Sequence, residues 1–117
     1  RRGAGSAYRK FAQQASGFAI VGVAAALQLD AKGRCDEIRI GVTGLRDKPF
    51  RAGALEARLR SQKPTAKSIA AAASLLGDGI EPLEDLHAAA DYRLHLARVY
   101  AESAIAAAAQ QAARSRR

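Results

Sequence analysis

Residues 8–26, YRKFAQQASGFAIVGVAAA, decide how this chain folds. The first half reads as one short helix. Tyr8, Phe11 and Ala15 recur at helical spacing on one face, and Lys10 and Gln14 sit four apart on a neighbouring one. Ser16-Gly17 then interrupts the run, because glycine ends a helix at little cost and admits backbone angles that other residues avoid. Residues 18–29 follow as a strand rich in Val, Ile and Leu, with no charge before Asp30. The strand is apolar at both alternating positions as far as Leu27, a pattern that predicts cover on both faces.

Working outward, Asp30-Ala-Lys-Gly33-Arg34 is a hairpin connection with Gly33 at the left-handed position. Residues 35–45 return as the partner strand. Ile38, Ile40 and Val42 point one way and Glu37, Arg39 and Gly41 the other, which describes one face on a core and one in water. Gly41 and Gly44 suggest a bulge or a close approach near the strand's end. Asp47-Lys48-Pro49 is a turn, and Phe50-Arg51 a very short third strand with Pro49 at its start. Three helical segments follow. Residues 54–61 carry Leu55 and Leu59 four apart and close before Pro64. Thr65 caps residues 66–76, whose stripe is Ile69, Ala72, Ala73 and Leu76. The last helix covers about residues 88–113. There Tyr92, Leu96, Val99, Tyr100 and Ser103 form one stripe and His95, Arg98 and Glu102 the opposite one. Asp91 with His95, and Arg98 with Glu102, are spaced for weak pairing along that helix. The alanines at 104 and 106–109 suit close packing against another helix, or a helix end trailing into solvent. The predicted fold is α+β: a small antiparallel sheet, a hairpin plus a short third strand, covered by about three helices.

At 117 residues, 49% hydrophobic and 26% charged, the chain reads as one domain over 1–117 with flexible basic ends at 1–7 and 114–117. The lead-in RRGAGSA matches neither glycine-rich phosphate pattern in spacing, and no strand precedes it. No apolar run approaches the roughly 20 residues that cross a bilayer, and no signal peptide is recognisable. The sequence contains no Met, which suggests a piece of something longer. Cys35 is the only cysteine, so neither an intrachain disulfide nor a cysteine metal site can form, and a reducing cytoplasm fits. The net charge of +8 sits at the ends. Seven of the 19 basic residues lie at positions 1, 2, 9, 10, 114, 116 and 117, and the remaining twelve nearly balance the 11 acids. A nucleic-acid binder more often carries its cations as a stripe on the folded body.

Side chains for catalysis are sparse. His87 and His95 stand about two helical turns apart, too far to share a metal, and read as surface or capping residues. Cys35 has Asp36 and Glu37 beside it. Acids raise a thiol pKa, the wrong direction for a nucleophile, so it reads as a small hydrophobe. Asp85 is a turn or helix-start residue. Asp91-Tyr92-Arg93 is either an exposed helix start or an internal ion pair. Lys10 is either a solvated lysine or a cation held near an anionic ligand, with Gln14 one turn away as a neutral donor.

Three blocks together resemble a known family. SAYRKFAQQASGFAIVGVAA at residues 6–25 is similar to the start of the C-terminal domain of the flavoprotein (medium) subunit in the carbon monoxide dehydrogenase and xanthine oxidase family. Pro49-Phe50-Arg51-Ala52, with Glu56 and Leu59, resembles that family's P-x-R-A…E…L segment. Pro82-Leu83-Glu84-Asp85-Leu86 and then Ala90-Asp91-Tyr92-Arg93-Leu94-His95-Leu96-Ala97 resemble its final signature. The resemblance implies a subunit that binds FAD mostly through upstream domains. It passes electrons between iron–sulfur clusters of a small subunit and the flavin, while a large subunit holds the molybdenum cofactor. It further implies that this domain packs over the flavin domains with Lys10 near the ring, where a cation stabilises negative charge. Gln14 stands where many members have Arg, and Ala89 where many have Ser. Two other readings are a stand-alone interaction module of the same fold and a basic nucleic-acid binder. On the family reading the isolated chain holds no FAD.

Overall fold

The computed structural model describes residues 3–12, 20–45, 48–77 and 87–115. Four strands, β1 (Ala4–Ala12), β2 (Ile20–Leu29), β3 (Cys35–Thr43) and β4 (Phe50–Arg51), form one antiparallel sheet in chain order. Three helices accompany them among the described residues: α1 (Gly53–Leu59), α2 (Ala66–Ala73) and α3 (His87–Ser115). The architecture is α+β as expected, with one strand more than the sequence pattern suggested.

That extra strand corrects the reading of the first half of the opening stretch. Tyr8, Phe11 and their neighbours belong to β1, not to a helix, and Ala4–Ala7, expected as a loose lead-in, are strand as well. The helical spacing of Tyr8 and Phe11 was a coincidence of composition. What decides the segment is nine residues of pairing with β2, from Ala4 opposite Gln28 to Ala12 opposite Ile20. Local propensity is worth tenths of a kcal/mol per residue and yields to such a ladder. Residues 13–19 lie outside the described residues, and Gln14 and the Ser16-Gly17 interruption with them.

The β2–β3 hairpin forms as predicted. Gly33 takes a φ of 81°, its N–H bonds to the Asp30 carbonyl at 3.0 Å, and the Asp30 N–H bonds to the Arg34 carbonyl at 2.9 Å. The Asp30 carboxylate closes the turn, accepting from the N–H groups of Lys32 at 2.9 Å and Arg34 at 3.0 Å. The irregularity of the hairpin falls at Gln28/Leu29, not near Gly41, where a Cβ would meet nothing within 4 Å.

The core lies between one face of the sheet and the helices. Val21, Val23, Ala25, Leu27 and Leu29 of β2 and Ile38, Ile40 and Val42 of β3 are buried there with Leu55, Leu59, Ile69, Leu76 and Ile105. β2 is therefore covered by the helices on one face only; on the other, Gly22 is overlaid by Tyr8. Ala24 and Ala26 are exposed, contrary to the two-sided cover its composition predicted. The strand's second face is apolar only because it is small.

Of the first stripe suggested for α3, Tyr100 packs half-buried against the core, and neither stripe is fully covered. Val99 is 42% exposed and Ser103 faces water, whereas Ala97, Ala101, Ala104, Ile105, Ala108 and Ala112 are fully covered. Alanines on the helix meet Gly5 on β1. A Cβ at Gly5 would collide with the Ala108 carbonyl oxygen and stand 2.7 Å from the Ala112 nitrogen. Glycine is required there so that a helix backbone can lie on a strand. The same helix guards the outer edge of β1. The Ser6 N–H donates to Gln111 Oε1 at 2.6 Å and the Gly3 N–H to Ser115 Oγ at 2.8 Å, so the edge is capped instead of left as a pairing template. Arg98, spaced for Glu102, donates Nε to the Leu76 carbonyl at 3.1 Å, just past the end of α2 where a cation is favoured. α2 itself begins at a capping box: Thr65 Oγ1 accepts from the Ser68 N–H at 3.1 Å, and Ser68 Oγ accepts from the Thr65 N–H at 2.9 Å.

Candidate functional site

Strand pairing assembles a second surface opposite the helices. In a strand, alternate residues share a face, and directly opposed residues on neighbouring strands do too. Tyr8 is opposite Ala24, Ala24 opposite Gly41, and Gly41 opposite Arg51. Ser6 is opposite Ala26 and Ala26 opposite Arg39, while Lys10 is opposite Gly22 and Gly22 opposite Thr43. The result is a floor of Gly and Ala with Lys10 and Tyr8 on one side and Arg39 and Arg51 on the other. Lys10, Tyr8, Arg39 and Arg51 are all exposed.

Tyr8 gives this face its relief. A Cβ at Gly22 would run into the Tyr8 hydroxyl and stand 2.9 Å from Thr43 Oγ1, so the phenol lies across the glycine toward Thr43. Tyr8 is nonetheless 52% exposed. Between Tyr8 and the two arginines runs a shallow trough of about 540 Å³, floored by Ala24, Ala26 and Gly41.

Arg51 is held in place from below. Its Nε donates to Glu56 Oε2 at 3.0 Å and its Nη2 to Oε1 at 2.8 Å, a two-pronged pair that keeps the guanidinium firmly protonated. Glu56 is 5% exposed, the one buried charged side chain among the described residues. Its Oε2 also accepts the Ile40 N–H at 2.8 Å, while the Ala52 N–H donates to the Ile40 carbonyl at 2.9 Å. The Arg-Ala…Glu…Leu segment is thus a joint. Glu56 satisfies a strand donor, orients Arg51, and ties α1 to β3 and β4.

The other candidates separate from this face. Cys35 is buried, and burial first, with the Asp30 charge second, pushes its thiol up to about 11. Its backbone clasps the α1–α2 turn, accepting from the Ser61 N–H at 2.7 Å and donating to the Gln62 carbonyl at 2.8 Å. Asp30 is held below the usual carboxylate range, chiefly by the Arg34 N–H, with burial opposing. His95 is exposed on α3, and no group of three or more His, Cys, Asp or Glu could hold a metal among the described residues. Asp85 lies outside the described residues, as does Gln14. Lys10 is on an edge strand, not on the helical turn that was to set Gln14 beside it. Tyr8, Arg39 and Arg51 were not singled out as site residues. The alternation of Glu37, Arg39 and Gly41 marked the exposed face of β3, but nothing in the sequence paired that face with Tyr8 and Lys10.

A family model described as the CO dehydrogenase flavoprotein C-terminal domain matches residues 6–108. The 6-hydroxypseudooxynicotine dehydrogenase complex subunit alpha of Paenarthrobacter nicotinovorans is 32% identical over 110 residues, 94% of this chain and 37% of that relative. Among solved structures, quinoline 2-oxidoreductase from Pseudomonas putida 86 superposes with a TM-score of 0.79 at 29% identity, over 93% of this chain and 38% of that one. Carbon monoxide dehydrogenase from Hydrogenophaga pseudoflava superposes with a TM-score of 0.75 at 32% identity, over 92% and 37%. The chain therefore spans little more than a third of the length of these relatives.

Proposed function

The chain belongs to the CO dehydrogenase flavoprotein C-terminal domain family, and from that premise we propose that it is the non-catalytic C-terminal domain of the FAD-binding (medium) subunit of a cytoplasmic molybdenum hydroxylase. In this reading it packs over the flavin-binding domains of the same subunit. It also presents surface to an iron–sulfur small subunit and a molybdenum-bearing large subunit, and assists electron transfer between the iron–sulfur clusters and FAD. The observation that carries the reading is the position of Lys10. It is exposed, on a strand paired with β2 along its whole length, and on the sheet face opposite the helices.

The residues present fit contact with one edge of FAD, not a site for all of it. Lys10 offers an ammonium and Tyr8 an aromatic ring, whereas no glycine-rich loop opens a helix to receive phosphates among the described residues. FAD, when bound, supplies one- and two-electron transfer. Lys10 contributes a fixed positive charge that favours added negative charge on the ring, and Gln14 is assigned to the same edge as a neutral donor. No helix among the described residues is long and apolar enough to cross a membrane.

The test is made on the full-length subunit. Lys10→Met is expected to lower the flavin reduction potential while leaving FAD content unchanged, and an unchanged potential removes Lys10 from the site. The 117-residue chain alone is expected to purify colourless; stoichiometric bound FAD would overturn the division of labour. A full-length subunit that binds no FAD yet still assembles with partners would favour the stand-alone interaction module.

A further inference from the structure

We propose that the hydroxyls of Tyr8 and Thr43 join Lys10 in one row of hydrogen-bond donors beside Gly22, and that this row receives the oxygen-bearing edge of the flavin ring and favours its reduced, negatively charged form. The inference rests on the function proposed above. It adds two side chains and one backbone position to a contact otherwise assigned to Lys10 and Gln14.

Register builds the row. Lys10 is opposite Gly22 and Gly22 opposite Thr43, so the three stand in one line across the open face. Tyr8 belongs to the next line, opposite Ala24, but its side chain crosses over. A Cβ at Gly22 would run into the Tyr8 hydroxyl and stand 2.9 Å from Thr43 Oγ1. The two hydroxyls therefore lie beside the same glycine, one from each neighbouring strand. Any side chain at position 22 would displace the phenol, which gives a glycine in the middle of a strand its reason to be there.

The chemistry of the row is one-sided. The Lys10 ammonium donates and cannot accept, and each hydroxyl donates one hydrogen bond. No carboxylate stands in either line, since that of Tyr8 continues through Ala24 and Gly41 to Arg51. Among the described residues neither hydroxyl has a hydrogen-bond partner, so both donate outward without breaking an internal bond. A hydrogen bond to a charged oxygen is roughly twice as strong as one to a neutral oxygen. Fixed donors at one edge of a ring therefore separate its two charge states, even though they touch both. The donors are fixed here: Tyr8 is 52% exposed but lies across Gly22, and Thr43 is β-branched and stiff at its first torsion. Beside the row, Ala24, Ala26 and Gly41 leave a shallow floor with room for a planar group.

The experiment measures the flavin midpoint potential of the full-length subunit, with FAD content read from absorbance on the same samples. Tyr8→Phe keeps the ring and Thr43→Val keeps the shape, but each loses its donor. Each is expected to weaken the preference for reduced over oxidised flavin about ten-fold, which lowers a two-electron potential by about 30 mV, at unchanged FAD content. Thr43→Ser returns the hydroxyl and is expected to return the potential. Gly22→Ala keeps all three donors but displaces the phenol, and is expected to behave as Tyr8→Phe does. Unchanged potentials in Tyr8→Phe and Thr43→Val, with FAD bound, overturn the donor row and leave the flavoprotein reading standing. A wild-type subunit without FAD overturns that reading and the row with it. A potential in Thr43→Ser as low as in Thr43→Val gives Thr43 a packing role and overturns its place in the row. Loss of FAD from Tyr8→Phe or Thr43→Val overturns the preference for the reduced ring, because the hydroxyl then holds the flavin in both states.

Discussion

The two faces of this sheet are built from the same strands but differ in kind. One carries Val23, Ile38, Ile40 and Leu27 and is sealed by α3 and α1, with α2 packed against those two helices. The other carries Ala24, Ala26 and Gly41 between Tyr8 and two arginines, and is exposed. Neighbouring residues of one strand therefore have opposite duties. The sealed face supplies the free energy of folding through apolar burial. The open face contributes little to stability and keeps its chemistry available. Alternation alone explains the division, because a period of two turns every second side chain to the other side.

That contrast can be broken residue by residue. The largest effect is expected at Ile40→Ala, which empties a fully buried site and costs about 2–5 kcal/mol, against less than about 0.5 kcal/mol for Arg39→Ala next to it. Denaturant midpoints of the two variants measure the difference, and equal losses would mean that the faces are not distinct. Glu56→Ala comes next. It leaves the buried Ile40 N–H without its acceptor, a loss of about 1–3 kcal/mol, and frees Arg51. Proton exchange at the Ile40 amide should rise in the same variant.

Two glycines sharpen the comparison. Gly5→Ala drives a methyl group into the backbone of α3 and is expected to cost about 1–3 kcal/mol by thermal unfolding. Gly41→Ala meets nothing within 4 Å and is expected to be neutral or to stabilise by up to about 1 kcal/mol, since alanine loses less freedom in a strand. If both changes prove neutral, α3 does not lie as close to β1 as the structure has it.

The smallest effect at neutral pH comes from Cys35. The unfolded thiol ionises near its ordinary 9.0 and the folded one only near 11, so protonation favours the fold between those values. The associated stability is fully present below pH 9 and is lost as pH rises toward 11. Cys35→Ala should show a shallower loss over that window. In the native protein the thiol should also resist iodoacetamide at pH 8 until denaturant is added.

Several elements were legible because their signals are local. The Asp30…Gly33 turn, the Thr65 cap and the Leu55/Leu59 spacing each depend on residues within a few positions. Each appears where the pattern put it. β1 was not legible, because Tyr8, Lys10 and Phe11 suit a helix as well as a strand until β2 is beside them. The buried face of α3 was missed for a related reason. Close approach selects much of it: at Gly5 the helix backbone lies on β1 at Ala108 and Ala112, while Ile105 fills the core. For the candidate site, the sequence singled out Lys10 but not the surface to which it belongs.

The sequence alone determined the hairpin, the capped second helix, the α+β class and the family resemblance, because each is written in short-range periodicity or in motifs with fixed spacing. The tertiary structure decided that residues 4–12 are a strand, that one face of the sheet remains open, and that Lys10, Arg39 and Arg51 share that face. In the linear chain Lys10 belongs to the basic N-terminal end, and Arg39 and Arg51 lie far from it in a nearly neutral body. Strand pairing brings them together, because register sets which side chains share a face, and register is a property of two segments at once.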